Sequence, residues 1–423
     1  MTSVSIIAAT FYGNRGAEGM LSTTIGMLRR HAGEDLTFNV FTYYPERDRE
    51  LVADQRVSMY SSTPAYLVAV LFPFALLYRF LGFFRLRPLQ RMLPKSVQAL
   101  AASSMLVCLA GVSFVGGRTK FVPFNIATIL PAMVLGVPVV KFAQALGPFN
   151  EPLNRLAAKI FLPWCNHIFT RGEKTQAHMK EVFPNKTFYE RADDCAFLFE
   201  KSFCISAPAP GGLDGLATLD QHRAAGRTIV GVCPSIVVAL RAKASGWDYA
   251  ALMRDLLSGL VAKGYAVALF PNATRGQDMD KTHNNDLPLL LEIYEGLDAE
   301  TRKYCVSFSG SLNIAQIHQI IEASDVVAVS RFHAMVGALA AGTPVMVIGW
   351  SHKYLEVMQR FQQEDMVLDY KRGEIGVVVG RIEQLVAEKA SRKATITASF
   401  LAVQALSMRQ IEYAAKLVKG RRA

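Results

Sequence analysis

The stretch from Asp325 to Lys353 constrains the fold of this chain more than any other part of the sequence. The β-branched run DVVAVS predicts a buried parallel strand, the small-residue run AMVGALAAG predicts a helix, and TPVMVIGW predicts a second buried strand. A further helix follows at SHKYLEVMQRFQQ. The order β-α-β-α implies two adjacent parallel strands, so the sequence predicts an α/β fold.

Cationic or ionisable side chains follow both of these strands. Arg331 and His333 come after the first strand, and His352 and Lys353 come after the second. In parallel sheets, ligands collect outside the carboxyl ends of the strands, where helix N-termini attract anions. A single arginine or histidine in such a place is more often structural, but its repetition at two consecutive strand ends favours an anion-binding site.

The same residues resemble the C-terminal signature of the polysaccharide pyruvyl transferase family. The signature appears here as Ser324-Asp325, Arg331-Phe332-His333-Ala334, Gly342-Thr343-Pro344-Val345 and Lys353. The resemblance implies a glycosyltransferase-B-like fold, phosphoenolpyruvate as the donor co-substrate without a further cofactor, and a saccharide as the acceptor. It also implies a donor site made of Arg171, Arg331, Phe332, His333, His352 and Lys353.

Weaker matches extend the resemblance towards the N-terminus. The glycine-rich turn FYGNRGAEG resembles the family's N-terminal loop at Asn14 and Gly16, with Glu18 near the expected acidic residue. Arg171, at the end of the predicted strand HIFTR, matches the arginine of a further family motif. The remaining matches, with Gln144 at a strand end, complete a predicted acceptor side of the cleft, which consists of Asn14, Gly16, Glu18, Gly116, Gly117, Gln144 and Asp194.

The length of 423 residues predicts two domains, and the Pro/Gly-rich run SAPAPGGLDG marks the boundary between them. Two similar α/β halves joined by such a linker predict two Rossmann-like domains that face a central cleft. We expect an N-terminal acceptor domain over 1–200, a linker over 201–226 and a C-terminal donor domain over 227–394. A last helix over 395–423 is expected to cross back to the first domain by analogy with two-lobed enzymes.

The segment 64–93 is unusually apolar and rich in aromatic residues. From Ala65 to Phe84 only Arg79 is charged, which approaches the length needed to span a bilayer, but Pro73 interrupts the run and more arginines follow it. Two interpretations stand side by side, namely an amphipathic segment lying in the membrane interface and a helix packed on the sheet. A true membrane span is a third alternative.

Composition limits the kinds of partner. The net charge of +11 suits anionic substrates or an anionic membrane face, but no basic run with interleaved aromatics predicts a nucleic-acid surface. The six cysteines show no C-x-x-C and no zinc spacing, so we predict core thiols and no metal site. With an N-terminus that predicts a strand, we expect a cytoplasmic protein, in one interpretation at the inner face of the plasma membrane.

Three functions remain open on the sequence. The first is pyruvyl transfer from phosphoenolpyruvate, in which His333 transfers a proton, Arg171 and Arg331 bind the donor's anionic groups, and Lys353 supports the charge. The second is a nucleotide-sugar-dependent glycosyltransferase on the same fold. The sequence shows no clear acidic ribose contact near the C-terminal block, where Glu356 is the only nearby candidate. The third is a non-catalytic, membrane-associated scaffold of polysaccharide assembly. The acceptor sugar, its linkage to lipid and the oligomeric state stay open.

Overall fold

The computed structural model describes residues 2–276, 278, 284–349, 351–372 and 375–421. The chain divides into two compact units, and each contains one parallel sheet with helices. The first unit comprises Met1–Phe11, Met20–Leu198 and Gln404–Ala423, and the second comprises Tyr12–Gly19 and Phe199–Val403.

The first unit is built on a seven-stranded sheet in the order β3-β2-β1-β4-β5-β6-β7, in which every neighbouring pair is parallel. Its strands are β1 (Ser3–Ile7), β2 (Thr37–Thr42), β3 (Val57–Ser61), β4 (Leu106–Cys108), β5 (Val139–Gln144), β6 (His167–Arg171) and β7 (Tyr189–Ala192). These strands are nearly continuous apolar runs because helices cover both faces of the sheet, and Val4, Val107 and Val140 are completely buried.

The helices of the first half of the chain connect these strands. They are α1 (Arg15–Ala32), α2 (Pro45–Leu51), α3 (Pro64–Tyr66), α4 (Phe72–Phe83), α5 (Arg87–Gln90), α6 (Lys95–Ala101), α7 (Val122–Ala127), α8 (Leu130–Leu135), α9 (Pro152–Phe161) and α10 (Gly172–Val182). A π-helical turn, Leu67–Leu71, joins α3 to α4, so that Pro64–Phe83 forms one helical segment. By length and composition, this segment is apolar enough to cross a membrane.

The second unit has a six-stranded parallel sheet in the order β10-β9-β8-β11-β12-β13. Its strands are β8 (Ile229–Cys233), β9 (Ala266–Leu269), β10 (Cys305–Ser307), β11 (Val326–Val329), β12 (Val345–Gly349) and β13 (Val367–Asp369). Its helices are α11 (Gly215–Ala224), α12 (Ile236–Ala244), α13 (Tyr249–Ala262), α14 (Leu287–Glu295), α15 (Ala299–Lys303), α16 (Ile314–Glu322), α17 (Phe332–Ala340), α18 (His352–Arg360), α19 (Ile375–Ala387) and α20 (Lys389–Gly420).

Three boundaries differ from the sequence-based expectation. Residues 12–19 group with the second unit instead of the N-terminal domain, because their hydrogen bonds reach Asn272 and Ser206. The predicted linker 201–226 contains α11, which packs closely on β10: a Cβ on Gly215 would lie 2.5 Å from Val306. The Pro/Gly composition therefore marks a turn before α11 and not a free linker.

The last helix is longer than predicted. It begins at Lys389, six residues before the expected start at 395, and its residues from Gln404 onward belong to the first unit. There Gln410 accepts a hydrogen bond from the backbone N–H of Ala143 (2.9 Å) and donates one to the carbonyl of Asp193 (2.8 Å). The end of the helix is thus fixed to β5 and to the loop after β7.

Candidate functional site

Three helices have their N-termini at the carboxyl edge of the second sheet. The strand order reverses between β8 and β11, and this switch point is where ligands bind in open α/β sheets. Ser235 caps α12 after β8, Arg331 is the N-cap residue of α17 after β11, and Ser351 caps α18 after β12. Since β8, β11 and β12 are neighbours, three sets of helix N-terminal N–H groups lie at one edge, which favours an anion.

Arg331 is partly buried at this edge, with 12% of its side chain exposed, and it is held by Asp286. Its Nε donates to both carboxylate oxygens of Asp286 (3.0 and 2.8 Å), its Nη2 donates to the same carboxylate, and its Nη1 donates to Asn284 (2.7 Å). Burial alone would lower the pKa of Arg331, but the charge and hydrogen bonds of Asp286 raise it. Asp286 also accepts from the backbone N–H groups of Ile236 and Ala273 (both 2.9 Å), so the pair joins the ends of β8, β9 and β11.

His333 lies in the first turn of α17, against residues 13–19 at the start of α1, here called the glycine-rich loop. A Cβ added to Gly16 would lie 2.7 Å from the Cβ of His333 and closer still to its ring, so a larger residue at position 16 would displace the imidazole. The loop is fixed by a hydrogen bond from the N–H of Arg15 to the carbonyl of Asn272 (3.2 Å). The structure therefore brings Gly16 and His333 together within the second unit.

Asn14 and Glu18 hold the same loop in place through hydrogen bonds. Asn14 accepts the N–H of Gly16 through its side chain (3.1 Å) and the N–H of Glu18 through its carbonyl (3.0 Å), so it caps α1. Glu18 is completely buried, pairs with Arg15 at 2.5 Å and accepts a hydrogen bond from Ser206. This carboxylate anchors the loop through its partners, and its predicted contact with an acceptor stays a prediction.

The other predicted donor residues surround α17 and α18. The Nζ of Lys353 lies 5.7 Å from the ring centre of Phe332, and Phe332 packs edge-on against Tyr354 at 5.7 Å. His352 is exposed on α18, where its Nε2 lies 3.9 Å from Glu356. Lys353 and Phe332 thus stay near the N-terminus of α17, whereas His352 faces solvent.

In the first unit, Arg171 ends β6 and is the N-cap residue of α10. Its guanidinium donates to Asp194 (2.8 Å) and to the carbonyl of Gly111 after β4 (2.9 Å). Asp194, which is almost fully buried, also accepts the N–H of Ala196 (3.1 Å). The predicted residues Arg171 and Asp194 therefore form one buried ion pair at the carboxyl edge of the first sheet.

The other predicted acceptor residues of the first unit have structural partners. Gln144 is completely buried and accepts a hydrogen bond from Ser113. The N–H of Gly117 donates to Glu151 (2.6 Å), so it does not present the predicted backbone donor to a ligand. A Cβ on Gly116 would lie 2.9 Å from the carbonyl oxygen of Pro148, which explains the glycine by close packing.

Sequence reasoning missed two residues of the second edge. Asp286, which fixes Arg331, carries the pattern of a helix start because it stands before Leu-Pro, but that pattern does not reveal its partner. Arg275 is buried after β9, and its guanidinium carbon lies 3.7 Å from where a Cβ of Gly13 would stand. The sequence shows that Arg275 follows a strand end, but it does not predict that Arg275 lies next to Gly13 of the glycine-rich loop.

The described residues contain no group of three or more His, Cys, Asp and Glu side chains arranged to hold a metal ion. All six cysteines are free, and burial raises the pKa of Cys165 and of Cys305 to about 12. Such thiols stay protonated at neutral pH and serve as apolar core residues.

Comparisons with known proteins agree with this architecture. A family model described as polysaccharide pyruvyl transferase matches residues 14–352. Among solved structures, a glycosyltransferase from Rickettsia africae covers 99% of both chains at 9% identity with a TM-score of 0.56. An E. coli protein described as trehalose-6-phosphate bound with UDP-2-fluoro glucose covers 99% of both chains at 11% identity with a TM-score of 0.54.

A third neighbour is the UDP-GlcNAc 2-epimerase of Neisseria meningitidis bound to UDP-GlcNAc. It covers 98% of this chain and 100% of its own at 9% identity, with a TM-score of 0.50. At these identities the likeness concerns the fold alone, which is glycosyltransferase-B-like with two Rossmann-like units, as predicted from the sequence.

Proposed function

Because the chain belongs to the polysaccharide pyruvyl transferase family, we propose that it transfers the pyruvyl group of phosphoenolpyruvate to a saccharide. The product would be a cyclic pyruvate ketal on two hydroxyls of a cell-surface polysaccharide or its precursor. The family model supports this proposal over a range that includes both the loop at Asn14 and the motif at Arg331–His333.

The position of His333 carries the proposal. An ionisable imidazole stands in the first turn of α17, beside the switch point of the sheet and against Gly16. An imidazole can donate a proton, and the N-terminus of α17 favours a phosphate or carboxylate next to it. These are the two requirements of a reaction that protonates an anionic enol ester.

The chemistry follows from the donor. His333 would give a proton to the methylene carbon of phosphoenolpyruvate, which leaves an oxocarbenium-like centre at C2. A sugar hydroxyl attacks C2 and returns a proton to His333. The bond between C2 and the phosphate oxygen then breaks with the electron pair leaving on phosphate, and a second hydroxyl closes the ketal while its proton passes to the departing phosphate. The helix N-terminus and Lys353 would stabilise the departing phosphate. Arg331, fixed by Asp286, would keep α17 in position and add positive potential.

Arg171 keeps a narrower proposed role. Its ion pair with Asp194 supports a part in shaping the acceptor edge of the first sheet, and direct binding of the donor stays a prediction. For location, we propose the cytoplasm, since six free cysteines suit a reducing compartment.

The alternative is a nucleotide-sugar glycosyltransferase, because solved neighbours of the same fold are bound with UDP-sugars. Such an enzyme would use a carboxylate for the ribose, and Glu356, on α18, was the candidate in the sequence. It lies 3.9 Å from the exposed His352 and is about one-fifth exposed. Competition by UDP without competition by phosphoenolpyruvate would favour this alternative.

The test is phosphate release from phosphoenolpyruvate in the presence of a panel of hexose-containing saccharides, with mass spectrometry of the ketal product. We expect His333→Asn to lose about 10²–10⁴-fold in kcat, the usual contribution of a general acid. His352→Gln removes an exposed histidine from the next strand end and should retain activity. Equal turnover of His333→Asn and the unaltered protein would contradict the assigned role of His333.

A further inference from the structure

Residues 64–93 form a helical hairpin on the first unit. The segment Pro64–Phe83 runs to Arg85, whose left-handed backbone (φ 58°) turns the chain back into α5. The side chain of Gln90 then donates a hydrogen bond to the carbonyl of Tyr78 (2.9 Å), which holds the returning segment against α4. The hairpin is therefore an ordered element of the surface.

One face of the hairpin is fixed in the core. Leu67, Leu71 and Ala75 recur every fourth residue and are at most 1% exposed. The hydroxyls of Tyr66 and Ser96 are hydrogen-bonded at 2.8 Å. Although 20 residues suffice to span a bilayer, this stripe would have to leave the core before the helix could cross one. The segment is thus suited to lie along a surface.

The opposite face of the same hairpin is apolar and exposed. Phe83 is 82% exposed and Met92 is 80% exposed, and only 22% of the most apolar part of the helix is buried. A helix that is apolar on all sides is normally buried in a core or in lipid. The large apolar residues that remain exposed are Val68, Leu76, Leu77, Phe80, Phe83, Phe84, Leu86, Leu89 and Met92.

A second helix of the first unit repeats this pattern. The stripe starts at Leu153 on α9 and continues three, seven and eleven positions later at Leu156, Ile160 and Trp164, a spacing that places the four residues on one helix face. They are 48–73% exposed. The crossovers from β3 to β7 all run in one direction along the sheet, so right-handed connections place α4, α8 and α9 on the same face. Both apolar surfaces therefore belong to one side of the first unit.

This part of the chain also lacks negative charge. No Asp or Glu occurs between Asp54 and Glu151. The same interval contains nine cations, and all of them are exposed except Lys141, which is buried. They are Arg56, Arg79, Arg85, Arg87, Arg91, Lys95, Arg118, Lys120 and Lys141.

From these observations we propose that the hairpin and the α9 stripe, here called the docking face, bind the surface of an anionic phospholipid bilayer. Exposed phenylalanines and Trp164 would enter the interface, and the arginines would pair with lipid phosphates. Arg79 lines a cavity of about 380 Å³ beside Phe83, open to such a headgroup. A second copy of the chain is a poorer occupant, because a two-fold contact would set the hairpin arginines against one another and residues 64–93 contain no carboxylate to pair with them.

The inference does not depend on which group the enzyme transfers. Its test is cosedimentation of the full-length protein with vesicles of phosphatidylcholine alone and of phosphatidylcholine mixed with phosphatidylglycerol. We expect binding to the mixed vesicles to be at least about tenfold tighter than to neutral ones and to weaken as salt is added.

Two variants separate the apolar from the cationic contribution. Phe83→Ser/Phe84→Ser and Arg85→Glu/Arg87→Glu should each weaken binding to mixed vesicles about tenfold or more. Matched controls are Leu401→Ser and Lys393→Glu, which change exposed residues of α20 in the second unit and should bind as the unaltered protein does. Turnover of a soluble acceptor should be unchanged in all four, which distinguishes this test from that of the proposed function.

Three results would overturn the proposal. They are equal binding to neutral and mixed vesicles, no sedimentation with either, and variants of the docking face that bind as the controls do. A protein that is dimeric in solution, and becomes monomeric in Phe83→Ser/Phe84→Ser without a change in vesicle binding, would assign this surface to a second copy instead.

Discussion

Arg171 in the first unit and Arg331 in the second occupy equivalent places. Arg171 is the last residue of its parallel strand, and Arg331 comes two residues after its own. Each is the N-cap residue of the next helix, and each pairs with a buried aspartate, Asp194 or Asp286. An arginine at a strand end was the main sequence signal for an anion site. In both units the structure shows that the arginine links neighbouring strand ends through its ion pair with the aspartate.

What differs is the surroundings of the two arginines. After Arg331 come Phe332 and His333, and the glycine-rich loop packs on the imidazole. After Arg171 comes Gly172-Glu173, and the carboxylate of Glu173 is exposed and pairs with Arg191. The comparison teaches that an arginine at a strand end does not by itself predict a binding site. Our proposal for the second unit therefore depends on the ionisable neighbour, His333, and on the glycine-rich loop against it.

The largest expected effect tests the shared feature, the buried pair. Asp286→Ala and Asp194→Ala should each destabilise their own unit by about 3–5 kcal/mol, because each leaves a guanidinium buried without its carboxylate. Backbone hydrogen exchange resolves the units: Asp286→Ala should speed exchange in β8 and β11, and Asp194→Ala in β6 and β7. If a substitution speeds exchange only in the unit that does not carry it, the assignment of each ion pair to the stability of its own unit is wrong.

The next effect tests the feature that differs. Gly16→Ala should lower kcat about 10²-fold, since its Cβ must displace His333 and small misplacements have effects of this size. Gly19→Ala, three residues further along α1, places its Cβ 3.4 Å from Ile314 and should leave turnover close to normal. Phosphate release from phosphoenolpyruvate measures both. Similar rates for the two variants would remove the loop from the site.

A third test concerns His318, a histidine of the same unit as His333 to which we assign a structural role. Burial lowers the pKa of His318 to about 4, and its ring packs on Phe199 at 4.6 Å. Between pH 6.5 and pH 4 the unfolded chain, with a histidine pKa near 6.5, binds a proton at His318 that the folded chain does not bind. The contribution of His318 to the free energy of unfolding is therefore fully present above about pH 6.5 and is lost as the pH falls towards 4. The slope should approach about 1.4 kcal/mol per pH unit.

Denaturant unfolding of the unaltered protein and of His318→Gln between pH 7 and pH 4.5 measures this slope. The variant should lose less stability on acidification than the unaltered protein. Parallel curves for the two proteins would show that His318 does not reject a proton in the folded state.

The smallest effect concerns the exposed neighbour of Arg171. Glu173 is 78% exposed and its partner Arg191 is 25% exposed, at 2.9 Å. Glu173→Gln should therefore change the free energy of unfolding by less than about 1 kcal/mol and leave turnover unchanged, as for other surface ion pairs. A loss of activity in this variant would show that the edge around Arg171 takes part more directly than its geometry indicates.

The sequence predicted the sheets well because buried parallel strands are continuous apolar runs, as in DVVAVS and TPVMVIGW. It also placed Arg331 and His333 at a strand end, which follows from the same local pattern. It could not pair Arg331 with Asp286, which lies 45 residues away along the chain. Nor could it group residues 12–19 with the second unit, because that depends on contacts with Asn272 and His333 that leave no local signal.

The predicted acceptor-side roles of Glu18 and Gln144 stay predictions, and the structure adds that both side chains are completely buried. A polar residue near a strand end appears the same in a sequence whether it faces a ligand or fills a buried hydrogen-bonding site. Glu18 is enclosed by Arg15 and Ser206, and Gln144 by Ser113. Burial, which only the fold determines, separates the two cases.

The most direct test of the central claim, that the edge around His333 binds the donor, is calorimetric titration of the protein with phosphoenolpyruvate and, separately, with UDP. We predict that phosphoenolpyruvate binds and that Gly16→Ala and His333→Asn weaken this binding, whereas Gly19→Ala does not. Binding of UDP with no binding of phosphoenolpyruvate would contradict the account and assign the site to a nucleotide-sugar donor.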